Sequence, residues 1–173
     1  RISNNFCKRN GIIFISCEDE NAFFSFENIN FTSNSAKQGS GLYFISISKF
    51  NGNSILCTNN YENSLSFYWS FQIDINITNL TVIDSYSKSN FIIFSGFNIF
   101  LQNLIMKNCH SENELLNIEI SNLNAKNIEI MNSSCSFGFD ISPSIVSIKN
   151  LKLINDENNF LSLLTATNSE VYL

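Results

Sequence analysis

The side chains that could catalyse a reaction are few and widely spaced in this sequence. Catalysis by acidic side chains would need them clustered on one face, either as a general acid and base pair or as calcium ligands. Asp74 and Asp84 fall in one repeat but on different segments, so we do not expect them to form such a pair. The acidic run at residues 18–20 and the single histidine, His110, are interpreted as exposed turns. We therefore predict no catalytic residue, no metal site and no cofactor.

Four N-glycosylation sequons offer a different chemistry, which has meaning only in a secretory chain. They begin at Asn30, Asn76, Asn79 and Asn132. Apolar residues flank Asn30 and Asn76 on both sides and would point inward in a strand, so these two amides should face outward and could carry a glycan. Asn79 occupies a position at which Asn recurs in successive repeats, so its amide should be hydrogen-bonded within the fold. The sequence does not determine whether Asn132 is exposed. We expect at least one of the four to be modified.

The five cysteines form neither a disulfide scaffold nor a zinc site, because no Cys-x-x-Cys pair is present. Cys109 and Cys135 are about one repeat apart, and stacking of repeats would bring their backbones to about 5 Å, within the range for a disulfide. Such a bridge would support an extracellular location. Cys7, Cys17 and Cys57 have no suitable partner one repeat away and are expected to be free, buried thiols.

The elements that position these residues come from a repeat of 23 to 26 residues. Each copy contains an Asn, alternating apolar residues, and a second Asn or Asp five positions later, as in Asn79 to Asp84. A fixed period in this range indicates one structural unit stacked on copies of itself. The first Asn of the repeat is Asn28, Asn53, Asn79, Asn103, Asn127 and Asn150, with Asn4 or Asn5 in the first copy.

Three segments in each repeat alternate apolar and polar residues, which is the pattern of β-strands rather than of helices. One segment follows the Asn, the second is rich in Phe, Ile and Leu, and the third leads into the next Asn. Residues 1–173 are therefore predicted to form a single all-β domain, a right-handed parallel β-helix (β-solenoid) of about seven coils with three short strands per coil. Strands of successive coils would pair about 4.8 Å apart.

A structural role explains the repeated Asn. At the corner between the third and first strands the backbone must turn sharply, and Asn tolerates the left-handed conformation better than other non-glycine residues. Stacked amides can also hydrogen-bond from coil to coil, as in cross-β stacks. We therefore predict an Asn ladder along this corner, beside inward columns of apolar residues. The predicted columns contain Leu80 and Val82, Leu104 and Met106, Ile128 and Ile130, and Leu151 and Leu153.

These repeats resemble the right-handed parallel β-helix of the pectin-lyase-like superfamily, including its internal Asn ladder. The segment 31–42, with Phe31, Asn34 and Gly-Ser-Gly at 39–41, also looks like the Phe-x-x-Asn and Gly-rich repeat of bacterial polymorphic outer-membrane proteins and related protist surface proteins. The resemblance implies a secreted or surface-displayed solenoid. The polysaccharide lyases and hydrolases of the superfamily imply an enzyme, so the site has to decide between these functions.

Composition and charge exclude two classes of partner. The chain carries a net charge of −5, and its ten Lys and Arg residues are spread thinly, whereas binding to nucleic acid or to an anionic membrane needs clustered basic residues. No stretch approaches the roughly 18 to 20 apolar residues of a membrane span, so direct membrane insertion is not expected.

Some of the aromatic residues could form a surface that binds a sugar. In the segment 64–70, alternation points Leu65, Phe67 and Trp69 inward and Tyr68 outward. Tyr43, one coil earlier, could lie on the same face, and a sugar could stack on the short stripe so formed. Core packing and surface filling are the favoured interpretation of these residues.

Both termini fall in the middle of a predicted strand, and neither shows a helix, a proline or a charge cluster that could cap a solenoid. Joining residues 169–173 to residues 1–5 regenerates a third strand followed by the corner Asn. We therefore expect the chain to associate with itself end to end, as one unit of a longer array that is either covalent or stacked. A heterologous contact of this kind does not close and yields a filament.

The predicted function is a structural β-solenoid of an extracellular fibre or cell-surface coat, secreted and N-glycosylated. A surface adhesin or carbohydrate-binding β-helix is the first alternative, and it would show exposed aromatic or acidic residues aligned along one face over several coils. A polysaccharide lyase or hydrolase is the second alternative. Its activity on acidic glycans would be abolished by changing Asp74 or Asp84.

Overall fold

A computed structural model of the chain describes residues 1–8, 11–17, 22–36, 40–45, 49–62, 65–68, 74–95, 98–154 and 160–173. Within these ranges every regular element is a β-strand, as the alternation of the sequence predicted. The strands are β1 (Ile2–Ser3), β2 (Phe6–Cys7), β3 (Ile13–Ser16), β4 (Phe23–Thr32), β5 (Ser35–Ala36), β6 (Leu42–Ile45), β7 (Lys49–Thr58), β8 (Leu65–Tyr68), β9 (Asp74–Ile83), β10 (Tyr86–Ser87), β11 (Ile92–Ser95), β12 (Asn98–Lys107), β13 (His110–Ser111), β14 (Glu114–Glu119), β15 (Asn122–Met131), β16 (Cys135–Ser142), β17 (Ile145–Ile154), β18 (Phe160–Ala166) and β19 (Glu170–Tyr172).

The described strands pair in parallel with the equivalent strands of the neighbouring repeats. Eight of them form one sheet in the order β1-β4-β7-β9-β12-β15-β17-β19, and seven form a second sheet in the order β18-β16-β14-β11-β8-β6-β3. Two short ladders, β2–β5 and β10–β13, come from the segments that connect the first sheet to the second. The seven-stranded sheet has one strand for each predicted coil. The parallel β-solenoid is therefore confirmed, and its handedness stays a prediction.

Two of the three predicted segments are joined into one strand. Six strands of the larger sheet are ten residues long, and each runs through the repeated corner without interruption, as β9 does across Asn79. Pairing with β12 resumes on either side of this residue, at Thr78 with Gln102 and at Leu80 with Leu104. The expectation of three separate strands per coil is corrected in this respect, because a single left-handed residue bends the chain without ending the ladder of backbone hydrogen bonds.

Residues in the left-handed conformation mark the corners of the coils. The first corner lies inside the ten-residue strands of the larger sheet, the second directly follows the strands of that sheet, and the third follows the strands of the seven-stranded sheet. At the first corner the sequence assignment of Asn53 is corrected by one position, since Ser54 has the left-handed φ of 56°. Asn4 belongs to the second corner, because its neighbour Ser3 pairs with Thr32. The left-handed corner residues are Asn28, Ser54, Asn79, Asn103, Asn127 and Asn150 at the first corner, Asn4, Ser33, Asn59, Asp84, Asn108 and Asn132 at the second, and Ile120 and Asn168 at the third; Glu62, with φ 72°, lies outside these three series.

Each left-handed residue shifts the alternation of inward and outward side chains by one position. In β4, Glu27 and Asn28 are both exposed, whereas Phe26 and Ile29 on either side pack against the core. A left-handed residue does not follow the pleat of the strand, so two consecutive side chains point outward at the corner. This shift explains why the repeated Asn side chains project from the outer surface.

The core is a tube of apolar side chains stacked from coil to coil. Leu151 is only half-buried and Leu153 is 37% exposed, so the predicted column is not buried in this coil. The reason is that β19 covers β17 only at Ile145–Ser147 among the described residues. The other predicted inward residues are fully buried, as expected: Leu80, Val82, Leu104, Met106, Ile128 and Ile130.

Candidate functional surface

The outer side of the first corner carries a ladder of Asn amides. In each rung the Nδ2 group donates a hydrogen bond to the Oδ1 atom of the Asn one coil earlier. Asn53 accepts such a bond, although Ser54 and not Asn53 is the left-handed corner residue of its coil. The predicted ladder is therefore confirmed from Asn53 to Asn150. The bonds join Asn79 to Asn53 (3.3 Å), Asn103 to Asn79 (2.8 Å), Asn127 to Asn103 (2.9 Å) and Asn150 to Asn127 (2.9 Å).

This ladder lies outside the solenoid rather than inside it. Asn79 and Asn150 are exposed, and Asn103 and Asn127 are half-buried. The internal position implied by the family resemblance is therefore corrected, and the physical reason is the shift of alternation at the left-handed residue. Two further outer rows show the same bond from an Asn Nδ2 group to the side-chain oxygen one coil earlier. Their bonds join Asn108 to Asp84 (2.7 Å), Asn132 to Asn108 (3.4 Å), Asn98 to Asp74 (3.3 Å) and Asn122 to Asn98 (3.0 Å).

An internal polar ladder runs along the second corner, one residue after each left-handed position. There the side-chain oxygens of Asn60 and Ser85 accept hydrogen bonds from the N–H groups of Asn34 (2.9 Å) and Asn60 (3.2 Å). The Nδ2 group of Asn60 also donates to the carbonyl of Phe31 at 3.0 Å. These bonds satisfy backbone groups that face the core at the corner. The ladder residues, each at most 3% exposed, are Asn34, Asn60, Ser85, Cys109 and Ser133.

The third corner has a similar internal row of serines. Ser144 Oγ accepts from the N–H of Ser121 at 3.0 Å, and Ser169 Oγ accepts from the N–H of Ser144 at 2.9 Å. Sequence reasoning missed both internal rows. For the row at the second corner, the available signal was the small residue that directly follows the second Asn or Asp of the repeat, as Ser85 follows Asp84 and Ser133 follows Asn132. Only the shift of alternation at the corner shows that this residue points inward.

The cysteines are free thiols, including the pair predicted to form a bridge. Cys109 stands beside Ser133, whose Oγ accepts from its N–H at 3.2 Å, and Cys135 lies two residues further along the chain. The offset leaves the two cysteines out of register, so the structure does not support the predicted disulfide. Cys57 is buried as expected, whereas Cys7 and Cys17 are only half-buried. Burial raises the pKa of the Cys109 thiol to about 12.

Three aromatic side chains occupy the same outward position of successive coils on the surface of the second corner. The ring centroids of Tyr61 and Tyr86 are 5.1 Å apart with planes 22° from parallel, and those of Tyr86 and His110 are 5.4 Å apart at 23°. Tyr61 is 38% exposed and His110 is exposed. Because the rings cover one another's faces, the row presents ring edges and polar tips to solvent. We call Tyr61, Tyr86 and His110 the aromatic row.

Polar groups of the following coil hold the tips of the aromatic row. The Tyr86 hydroxyl donates to the Glu112 carboxylate, and this bond raises the pKa of Tyr86 to about 12. A hydrogen bond with Tyr61 raises the pKa of Lys88, whose Nζ lies 6.0 Å from the centre of that ring. Burial raises the pKa of Glu62, and its carboxylate accepts from the Lys88 N–H at 3.3 Å. The row therefore combines aromatic edges with one cation and two carboxylates.

The predicted sugar-binding stripe would need an exposed ring at Tyr43, and this ring is not exposed. This side chain is 7% exposed, and its ring stacks on Phe14 with a centroid distance of 5.5 Å. Burial also raises the pKa of Tyr43. Leu65 is buried as expected. The side chains of Phe67, Tyr68 and Trp69 lie outside the described residues.

The acidic residues considered for catalysis are distributed over different parts of the solenoid. Asp74 begins β9 and Asp84 follows its last residue, and each accepts a hydrogen bond from an Asn of the next coil. Burial and the nearby charge of Asp140 raise the pKa of Glu114. Residues 18–20 lie outside the described part. Within the described ranges no group of three His, Cys, Asp or Glu residues could hold a metal ion.

The four sequon asparagines differ in exposure. Asn30 and Asn76 are half-buried, and their amides are engaged: Thr32 Oγ1 donates to Asn30 Oδ1 at 2.7 Å, and Asn76 Nδ2 donates to Asn51 Oδ1 at 3.1 Å. Asn79 and Asn132 are exposed corner residues of the outer rows. The amides of Asn79 and Asn132 are also hydrogen-bonded, that of Asn79 in the ladder as expected, so only the exposed fractions of the four side chains run against the expected order. Modification itself stays a prediction.

No family model, no curated protein and no solved structure matches this chain. The described residues contain no helix long and apolar enough to cross a membrane. The repeated coil, its outer Asn rows and the aromatic row are therefore the observations from which a function has to be inferred.

Proposed function

We propose that this chain is a structural β-solenoid of an extracellular fibre or cell-surface coat and that it carries N-linked glycans. The observation that supports this most directly is the outer Asn ladder, in which each coil binds the next through the same amide pair. Such a unit adds about 4.8 Å of length per coil and repeats without needing a new contact. It suits a protein whose function is to extend and to keep its shape.

The partner of such a rod would be another coil, from the same polypeptide or from a second copy. Ile2 and Val171 pack against the core but are only partly buried, so a further coil would cover them. The relation to the pectin-lyase-like superfamily and to polymorphic outer-membrane repeats belongs to the same proposal. It is supported by the Phe-x-x-Asn segment, since Phe31 lies in the core and Asn34 in the internal ladder.

Electron microscopy of the native material, combined with mass spectrometry of the sequon peptides, tests this function. We expect filaments or an ordered coat, and a glycan on at least one of the four sequon asparagines. Separate particles of one chain that carry no glycan would contradict the proposal. The peptides with Asn79 and Asn132 should be analysed beside those with Asn30 and Asn76, because the former are the more exposed.

A glycan-binding adhesin is the second candidate, and the aromatic row favours it. Tyr61, Tyr86 and His110 align over three coils beside Glu62 and Glu112, which is the pattern expected of a binding face. Binding to a panel of immobilised glycans tests this function. We expect Tyr86→Ala to abolish binding to any glycan retained by the wild type. Phe100→Ala, at a 50% exposed ring outside the row, is the matched control and should have no effect.

A further inference from the structure

We propose that Tyr61 and Tyr86 are a site of oxidative cross-linking, at which a peroxidase with hydrogen peroxide joins the two rings into dityrosine. The two residues face each other in parallel register on successive coils. Their ring centroids are 5.1 Å apart and their planes are within 22° of parallel. This arrangement places the ring carbons next to the hydroxyl groups close enough to react after a small movement of the side chains.

The backbone holds the two rings in this arrangement. The Tyr61 N–H donates to the Asn34 carbonyl at 2.9 Å, and the Tyr86 N–H donates to the Asn60 carbonyl at 3.0 Å. Asn34 and Asn60 are themselves fixed by the internal ladder. Two reactants held at contact distance react as if at very high concentration. Coupling within one chain should therefore outcompete coupling between chains.

The reaction is a two-electron oxidation. Each phenol loses one electron and one proton, the two ring radicals form a carbon–carbon bond between the carbons next to the oxygens, and the rings become aromatic again as two hydrogens shift to those oxygens. Hydrogen peroxide takes up the two electrons and two protons and becomes two molecules of water. The Tyr86 phenol keeps its proton at neutral pH, so its proton must leave with the electron. The Glu112 carboxylate already accepts a hydrogen bond from this hydroxyl and can receive the proton.

The cross-link would connect two coils covalently at the outer surface. Its use as reinforcement rests on the proposed structural function, whereas its formation depends only on the geometry of the rings. A bond between residues 61 and 86 closes a loop of one coil, and a constraint of this kind stabilises the folded state against the unfolded chain. The cross-linked chain should therefore unfold at a higher temperature than the untreated chain.

Treatment of the purified chain with a peroxidase and hydrogen peroxide tests the inference. Cleavage after glutamate separates Tyr61 from Tyr86, because Glu62 directly follows Tyr61. We expect fluorescence of dityrosine and one linked pair of peptides, 28–62 with 63–112, that lacks two hydrogens. Tyr61→Phe and Tyr86→Phe each preserve ring stacking and should lose the linked pair. Tyr43→Phe and Tyr68→Phe, at the other tyrosines of these two peptides, are the controls and should retain it.

Two further measurements make the outcome decisive. Glu112→Ala should slow the appearance of the linked pair, whose second peptide then ends at Glu114, because it removes the proton acceptor and leaves the rings in place. A mixture of isotopically light and heavy chains should yield linked peptides of one label only. Linked pairs with mixed labels, an unchanged pair in Tyr86→Phe, or no dityrosine in the wild type would each overturn the proposal. None of these results depends on whether the native protein forms a fibre.

Discussion

Single residues in the left-handed conformation determine the shape of each coil. Asn and Asp fill most of these positions, because their short polar side chains lower the cost of this conformation. Ile120 is the β-branched residue among them, with φ 49° and a side chain that is 69% exposed. A β-branched residue at positive φ is strained. Asn168, one of the other residues at the third corner, shows which residue type the position favours.

Replacing Ile120 with Asn should therefore stabilise the protein. We expect Ile120→Asn to raise the free energy of unfolding by about 1 kcal/mol, since it relieves backbone strain and loses almost no buried area. Urea denaturation measures the effect. Ile145→Asn is the matched control, because Ile145 is 50% exposed but is not left-handed. Equal changes in the two variants would contradict the explanation by strain.

The Cys109 thiol makes the stability depend on alkaline pH. Its pKa is raised by burial from the usual 9.0 to about 12, so above pH 9 the unfolded chain loses a proton that the folded chain keeps. Stability is therefore retained below pH 9 and lost by about 1.4 kcal/mol per pH unit as the pH rises toward 12.

Comparison of the wild type with Cys109→Ser isolates this effect. Serine fits the position, because Ser85 and Ser133 occupy the neighbouring rungs of the internal ladder. We expect similar free energies of unfolding for the two proteins at pH 7 and a difference in favour of the variant that grows from pH 9 upward. A difference that stays constant with pH would show that the thiol is not responsible.

At the scale of the elements, two kinds of ladder hold the corners together, one inside and one outside. The internal ladder satisfies buried backbone groups, and a buried group left unsatisfied costs about 1–3 kcal/mol. The outer ladder joins exposed or half-buried amides, for which a net contribution nearer 0.5–1 kcal/mol per bond is expected. The internal ladder should therefore contribute more to stability, although the outer one is more conspicuous in the sequence.

Changes at Asn60 test the internal ladder. Asn60→Ala leaves the Asn34 N–H without its partner and removes the side-chain bond to the Phe31 carbonyl, so we expect a loss of about 3 kcal/mol. Asn60→Ser should lose less, because a serine oxygen accepts the corresponding N–H in the coil of Ser85. Urea denaturation gives both values, and amide exchange at Asn34 should speed up only in the alanine variant. Equal losses in the two variants would argue against this role.

Changes at Asn103 separate the two functions of an outer rung. Asn103→Gly removes the amide but keeps the left-handed backbone at no strain, so we expect a loss of about 1 kcal/mol. Asn103→Ala removes the amide and adds strain, so a loss of about 2 kcal/mol is expected. Denaturant unfolding measures both variants. If glycine were the more damaging substitution, backbone conformation would not explain the choice of Asn.

At the scale of the whole molecule, stability follows from contacts between neighbouring coils. Each coil of a solenoid touches only the coils beside it, so its protection depends on how completely both sides are covered. The central strands β9, β12 and β15 have a full-length partner on each side, whereas β17 meets only the short β19 on one side. Protection should therefore decrease from the centre toward the ends of this chain.

Native-state hydrogen exchange of the 173-residue chain tests this gradient. We expect the slowest amides in β9, β12 and β15, and the fastest in β1 and β19. Addition of a coil next to β19, by fusion of a further repeat, should slow exchange in β17 without changing β9. Uniform exchange along the chain would show that it unfolds as one unit rather than coil by coil.

Much of the fold was predictable from the sequence, because a period of 23 to 26 residues and an alternation of two leave few ways to bury the apolar side chains. The repeated Asn identified the corner and the ladder by residue chemistry alone. The candidate binding surface was predicted less well. Tyr61, Tyr86 and His110 are separated by 25 and 24 residues, and their alignment depends on the register of the second corner.

The sequence by itself determined the strands, the parallel stacking and the positions where the chain turns, since these follow from local pattern and backbone preference. The tertiary structure decided which way the corner side chains point. A single left-handed residue at each corner shifts the alternation, places the Asn ladder outside, and turns Asn34, Asn60 and Ser85 inward. Local propensity does not contain that shift, because its direction is set by the pairing with the next coil.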